Sequence, residues 1–550
     1  MWGLEAALLL LVAAAASGAA AQGGDAQELC FNQLQVLGSH NSYHLAPPAE
    51  LLAALGGLAD GPLLAWQSSQ ATLTQQLDAG VRALELDAYW DPQGGAYAQA
   101  AGLRIAGQSG WLTDPKYQQP GFKVLHVPDF DFRSSCILLS ECLEEVRRWS
   151  DANPGHLPIQ IHIEVKEGGQ VEEALGELLM GLLLNLLNTS SAEGPTTLAQ
   201  APASSPQLFL DLQAELEAAF GGALLTPDDV RAAAGAAAGA DLQQLLLAPP
   251  GTTPCPWPSL GSMRGKVLVK LIQYGDSGLA AHLQQVYPDL RGCLAWVEQN
   301  GRRPLPQAAF RATAVWRLQD DATALSLALP ANASGLVNDM AAAVRDMLQQ
   351  GFVVRARTDA DTVEARSGFA GRRDAIIAAG AQVVASDYVY GAPSPDPSPA
   401  AGSGNGSSGN RSASGGAGLD AGYSVQLPGG LPGRCVGIGG GGGSEGAGAV
   451  QAYTAVEGAG GGGEDAIYCG PLLVQASAPE DAGAVAAAAD SAAGIGGSGG
   501  SSSTGSSDPL PQPVVQQERA SNGGADAGRL SALSAVALLG AAAAAFAAMA

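Results

Sequence analysis

Between Glu28 and about Pro393, short apolar runs alternate with stretches of helical period, which restricts the chain to few folds. The strand-like runs are Leu34–Leu37, Val81–Leu86, Lys123–Val127, Ile159–Val165, Lys266–Ile272, Phe310–Leu318, Phe352–Ala356 and Gln382–Ala385. Helical stretches fall between many of them: Ala71–Ala79, Leu139–Ser150, Val171–Leu187, Leu336–Gln349 and Ala365–Ala379. Strands and helices alternating in this way predict an α/β fold, a (β/α)8 TIM-type barrel with inserted loops over residues 28–393. An open doubly wound sheet is the alternative that the pattern leaves.

Beyond residue 393 the composition changes. The chain carries 74 glycines in 550 residues, and many lie in this low-complexity Gly/Ser/Ala-rich tail. Residues 394–420 read as a linker and 421–475 as a small Gly-rich appendage. Residues 476–528 read as a disordered stalk. Both ends are apolar. Leu4–Ala21 with Ala19, Ala20 and Ala21 before Gln22 has the form of a signal peptide over residues 1–21. Leu530–Ala550 is apolar to its last residue and follows small residues and a polar spacer, so residues 529–550 read as a GPI-type anchor signal. Ser521, Asn522 or Gly523 would be the attachment site; a plain tail anchor is the alternative.

The seven cysteines form no CxxC and no zinc-type array, so disulfides of an oxidising compartment are expected. Cys136 with Cys142 would close a local loop, and Cys435 with Cys469 would staple a later segment. Sequons at Asn188, Asn332, Asn405 and Asn410 suit the same route. With 27 Lys+Arg against 52 Asp+Glu, the net charge is −25, which disfavours nucleic-acid binding by bulk electrostatics.

The chemistry-bearing residues sit at successive strand ends. Leu34–Leu37 runs into Gly38, Ser39, His40 and Asn41; the second strand carries Glu85 and Asp87, two apart and so on one face. The third ends at His126, the fourth carries His162 and Glu164, and the fifth carries Lys270. Carboxyl ends of consecutive strands converge on one mouth of a barrel. There Asn41, Glu85, Asp87 and Glu164 offer oxygen ligands only, which suits a hard cation such as Ca2+, with magnesium or manganese left open. His40, His126 and Lys270 beside such an ion favour attack at a phosphate ester. His162 would lie one layer deeper than Glu164, packed or supporting; His44, His156 and His282 read as loop or surface residues.

At these positions the chain resembles the phosphatidylinositol-specific phospholipase C superfamily, in its X-box, and within it the secreted, calcium-dependent, bacterial-type branch. GSHNSYH (38–44), VRALELDAYWDP (81–92), VLHVPDFDFRSSC (124–136) and HLPIQIHIEVKEG (156–168) carry the likeness. LLTPDDVR (224–231), MRGKVLVKL (263–271), FVVRARTDADTVEAR (352–366) and RRDAIIAAGAQVVASDY (372–388) continue it. The resemblance implies a calcium ion on Asn41, Glu85, Asp87 and Glu164 that acidifies the inositol 2-hydroxyl. Glu85 or Glu164 would take its proton, His40 would stabilise the phosphorus centre, and His126 would protonate the leaving diacylglycerol oxygen. Lys270 matches a phosphate- or headgroup-contacting lysine, and Ile272 stands where the signalling branch has a second basic residue. The implied partner is a phospholipid at a membrane surface, met through a C-terminal lipid anchor. An inactive barrel serving as a surface or wall protein is the competing reading. A glycerophosphodiesterase would instead show an early His-Arg-Gly, where this chain has His40, Asn41 and Ser42.

Overall fold

The computed structural model describes residues 29–59, 63–166, 181–190, 193–194, 198–237, 239–273, 278–300, 316–319, 333–360, 362–389, 423–427, 432–436, 465 and 467–468. All fall within one compact unit, Met1–Leu472. The residues read as signal peptide (1–21), linker (394–420), stalk (476–528) and anchor signal (529–550) lie outside the described ones.

Eleven strands are described: β1 (Leu34–Ser39), β2 (Val81–Tyr89), β3 (Lys123–Val124), β4 (Ile159–Lys166), β5 (Val267–Gln273), β6 (Ala295–Asn300), β7 (Trp316–Gln319), β8 (Val353–Arg357), β9 (Val383–Ser386), β10 (Gly433–Cys435) and β11 (Ile467–Tyr468). Eight of these, β1, β2 and β4 to β9, pair in parallel in chain order, and β9 returns to β1. This closed ring is the TIM-type barrel that the alternation predicts.

The strand list needs two corrections. Lys123–Val127 is no barrel strand: β3 is two residues long and runs antiparallel on the end of β2, Ala88 facing Val124. The strand that completes the eight is β6, Ala295–Asn300, the fifth in chain order, which sequence reasoning missed. Its residues Glu298 and Gln299 are both buried, so its polar content hid it from a search for apolar runs.

Among the described residues, helical stretches follow their apolar spacing; of the expected helix Val171–Leu187, residues 171–180 lie outside the described ones. In Leu139–Ala152 the buried residues Leu139, Cys142, Leu143, Val146 and Trp149 recur at three and four, and join the strands' apolar residues in the main core. Ala365–Ala379 is two helices, Val363–Ser367 and Gly371–Ala379, broken where Gly368 takes φ 67°.

The seam between β1 and β2 is short: only Leu37–Val81 and Gly38–Ala83 pair, with an irregularity between them. A Cβ on Gly38 would come within 3.1 Å of the Ala83 Cβ and 3.0 Å of Val383, so glycine lets the strands close there. Below this point the same edge of β1 is taken by β10, antiparallel, with Leu34 facing Cys435; β11 pairs with β10. Residues within 421–475 thus extend the barrel's own sheet. Asp465 clasps the buried Arg82 through Nε and Nη2, at 2.6 and 2.7 Å, and accepts from the Leu157 N–H.

Cys136–Cys142 is a disulfide, as expected, and Cys30–Cys255 is a second. Cys435 is disulfide-bonded, while its expected partner Cys469 lies outside the described residues. Among the described residues no helix is long and apolar enough to cross a membrane.

Candidate active site

His40 follows directly on β1, with its N–H donating to the Ser386 carbonyl at the end of β9 (2.9 Å). Its Nδ1 lies 2.6 Å from Asp387 Oδ1, and its Nε2 lies 3.9 Å from Glu85 Oε2. Asp387 is in turn held by Arg357 Nη2 at 2.7 Å. Burial and Arg357 oppose a charge on His40, but Asp387 and Glu85 outweigh them and raise its pKa. Asn41 adopts φ 44°, a conformation that asparagine tolerates better than most residues, and its N–H points to Glu85 Oε2 at 3.4 Å.

Glu85, Asp87 and Glu164 come together because strand register leaves them no choice. Glu85 and Asp87 share a face of β2, and Asp87 stands opposite Glu164 on β4. One carboxylate oxygen from each lies within 4.8 Å of the others. Their electrostatics differ. Burial would raise Glu85, yet its ion pair with Arg355 and the nearby His40 hold it down to about 2. Burial pushes Glu164 up to about 7, with Lys166 opposing and Asp87 reinforcing the shift. The Lys166 ammonium lies 2.6 Å from Glu164 Oε1 and 3.3 Å from Asp87 Oδ2. Asp87 Oδ1 is buried and has no hydrogen-bond partner among the described residues. An orphaned carboxylate oxygen within an all-oxygen set fits a hard divalent cation.

His126 leaves β3 at the same mouth, its carbonyl accepting from the Tyr89 hydroxyl at 3.0 Å. Its Nδ1 lies 2.7 Å from Asp131 Oδ2, and its side chain is 29% exposed. His44 also binds Asp131. It lies in a loop, as the sequence suggests, but is buried rather than on the surface, because its Nε2 needs that carboxylate. His156 is likewise buried, bonded to Ser150 Oγ and the Leu157 carbonyl, whereas His282 is half-buried.

Lys270 is fully buried, one layer below Glu164 and opposite His162. Its Nζ lies 2.6 Å from Gln160 Oε1, 3.3 Å from His162 Nε2 and 3.8 Å from Glu298 Oε2. Burial lowers its pKa to about 7, Glu298 opposing and Arg355 adding to the shift. His162 sits in this deeper layer, as its spacing from Glu164 predicts, with Nδ1 3.1 Å from Glu298.

Six residues around the site went unassigned in the sequence: Asp131, Lys166, Glu298, Arg355, Arg357 and Asp387. The signal for three was present. Arg355 and Arg357 alternate on β8 as Glu85 and Asp87 do on β2, and Asp387 directly follows β9 as His40 follows β1.

Residues 29–398 match the family model described as phosphoinositide phospholipase C, Ca2+-dependent. Among solved structures, a calcium-dependent phosphoinositol-specific phospholipase C from Pseudomonas sp. is 16% identical, covering 66% of this chain and 91% of its own, at a TM-score of 0.37. A Ca2+-dependent phosphatidylinositol-specific phospholipase C from Streptomyces antibioticus is 18% identical, covering 65% and 95%, at 0.36. No curated protein matches the chain.

Proposed function

Because the chain belongs to the family of calcium-dependent phosphoinositide phospholipases C, we propose that it cleaves phosphatidylinositol, or a closely related phospholipid, to diacylglycerol and an inositol phosphate. The observation that supports this reading is the clustered Glu85, Asp87 and Glu164, with His40 Nε2 3.9 Å from Glu85 and the residue before His126 bonded through its N–H to the Asp87 carbonyl at 3.3 Å. Asn41, Glu85, Asp87 and Glu164 would hold calcium, which supplies the positive charge that acidifies the inositol 2-hydroxyl.

The chain's own groups do the rest. A carboxylate of Glu85 or Glu164 takes the hydroxyl proton, and the freed oxygen attacks the adjacent phosphorus. His40, its Nδ1–H fixed on Asp387, presents Nε2 to the charge growing on phosphorus. His126, its Nδ1–H fixed on Asp131, gives its Nε2 proton to the diacylglycerol oxygen as the phosphorus–oxygen bond breaks. The product is a cyclic inositol phosphate, which water opens when the same histidine acts as base. To Lys270, whose Nζ meets Gln160, His162 and Glu298, we assign contact with the phosphate or headgroup, as the family resemblance implies. Ile272 offers no second base for a multiply phosphorylated headgroup, which favours phosphatidylinositol itself.

The apolar segments 1–21 and 529–550 support secretion and a C-terminal lipid anchor at the outer membrane surface. A GPI-cleaving enzyme applied to intact cells releases the protein if the anchor is of that type; retention rejects it.

The full chain, purified and given phosphatidylinositol vesicles, is expected to release inositol phosphate with calcium and none with chelator. His40→Ala and His126→Ala each lose about 10²–10⁴-fold in kcat. Calcium at about 100 times its Kd should stabilise the protein by about 2.7 kcal/mol, an effect lost in Asp87→Asn. Turnover that ignores chelator overturns the metal assignment, and no turnover on any inositol lipid favours a binding role.

A further inference from the structure

The family match ends at residue 398, yet residues 423–427 pack on the barrel beside the aspartate that holds His40. Val425 pairs with Val389 in a parallel bridge and donates its N–H to the Tyr388 carbonyl at 2.8 Å. Val425 and Leu427 are buried in the main core. Arg373 grips the same segment: its Nη1 donates to the Ser424 carbonyl at 3.1 Å, and its guanidinium lies 6.0 Å from the centre of the Tyr423 ring. The Tyr423 hydroxyl reaches Asp359, two residues past β8, and donates to its Oδ2 at 3.3 Å. The buried Asp359 gathers three further donors: Ser386 Oγ at 2.6 Å, Thr358 Oγ1 at 3.0 Å and the Asp387 N–H at 2.8 Å. Among the described residues, Tyr423 alone of these donors lies beyond residue 398.

We propose that Tyr423 is a positioning residue for His40: through Asp359 it steadies the backbone at 386–388, and so the Asp387 carboxylate that orients the His40 ring. The inference rests on the role given to His40 in the proposed reaction. Arg357 and Gln70 also hold Asp387, the first at its carboxylate (2.7 Å) and the second at its carbonyl (3.0 Å). The Asp387 N–H is left to Asp359, so the Tyr423 hydroxyl acts on a part of this stretch that those two side chains do not hold. A carboxylate that loses one donor turns toward those that remain, and the atoms it fixes turn with it. A small tilt of His40 lowers the rate of the chemical step without weakening contacts to the rest of the substrate. A segment outside the family match thereby becomes part of what sets the geometry of the site.

Two measurements on the full chain test this, one of them without turnover. The proton on His40 Nδ1, in its 2.6 Å bond to Asp387, should give a far-downfield proton NMR line that vanishes in His40→Gln. In Tyr423→Phe, which keeps the ring and loses only the hydroxyl, that line should shift or broaden. A line identical to the wild type in folded Tyr423→Phe overturns the proposal whatever the substrate proves to be, so its failure is separable from failure of the phospholipase reading. On phosphatidylinositol vesicles with calcium, kcat of Tyr423→Phe should fall about tenfold with KM unchanged. An unchanged kcat overturns the proposal. So does an equal fall in Tyr388→Phe, which removes a neighbouring buried hydroxyl that is not bonded to Asp359. If exchange with water hides the line in the wild type, kcat alone decides; if Tyr423→Phe does not fold, Arg373→Gln, which releases the segment from outside, is read in the same two ways.

Discussion

The mouth's two histidines are held by opposite strategies. His126 is pinned by Asp131, five residues along the chain and inside one tight turn. His40 is pinned by Asp387, 347 residues away, itself fixed by Arg357 on the neighbouring strand. One arm of the site is local and the other exists only once the barrel has closed. A local arm is set by a turn, whereas a remote arm inherits its geometry from the whole ring, and its loss should spread further.

Disulfides give the largest test of that contrast, because the chain repeats it there. Cys30–Cys255 spans 225 residues and Cys136–Cys142 spans 6. In the chain-entropy view the first contributes about 5 kcal/mol and the second about 2 kcal/mol. Urea unfolding of the two double Cys→Ser variants should show that order, and equal losses would break it. Next in size is Asp387→Asn, which frees His40 and leaves Arg357 without its carboxylate; kcat should fall about 10³-fold. Asp131→Asn, confined to one turn, should cost about 10²-fold. Equal losses in kcat would mean that the remote arm carries no extra burden.

The smallest effect is on acid stability. Asp131 is depressed in the folded protein, so its contribution is present above the unfolded value near 4 and lost as pH falls through the lower folded value. Unfolding midpoints taken between about pH 5 and 3 should therefore fall less steeply in Asp131→Asn than in the wild type. An unchanged slope would remove the ionised Asp131 from the account.

What the sequence disclosed follows the same division. Glu85, Asp87 and Glu164 were legible because strand alternation fixes which residues share a face, and that rule needs no knowledge of the fold. The barrel itself was legible from alternation, although one strand was misplaced and one missed. Ala295–Asn300 buries Glu298 against His162, Lys270 and Arg355, so its polar residues look outward in a linear reading. The burial of His44 was missed for a related reason: a histidine is buried when a partner exists, and Asp131 lies 87 residues away. Arg355 and Arg357 obey the alternation rule as well as Glu85 does, and Asp387 follows its strand as His40 does, but nothing local pairs them with their targets.

The short seam beside Gly38 has a consequence in time. β1 is among the first strands to leave the ribosome, yet the lower half of its free edge waits for Gly433–Cys435. At about 5–20 residues per second, that strand emerges some tens of seconds later. Throughout that interval the lower part of this β1 edge lacks its β10 partner, although β9 and β2 can already close the eight-strand ring around β1.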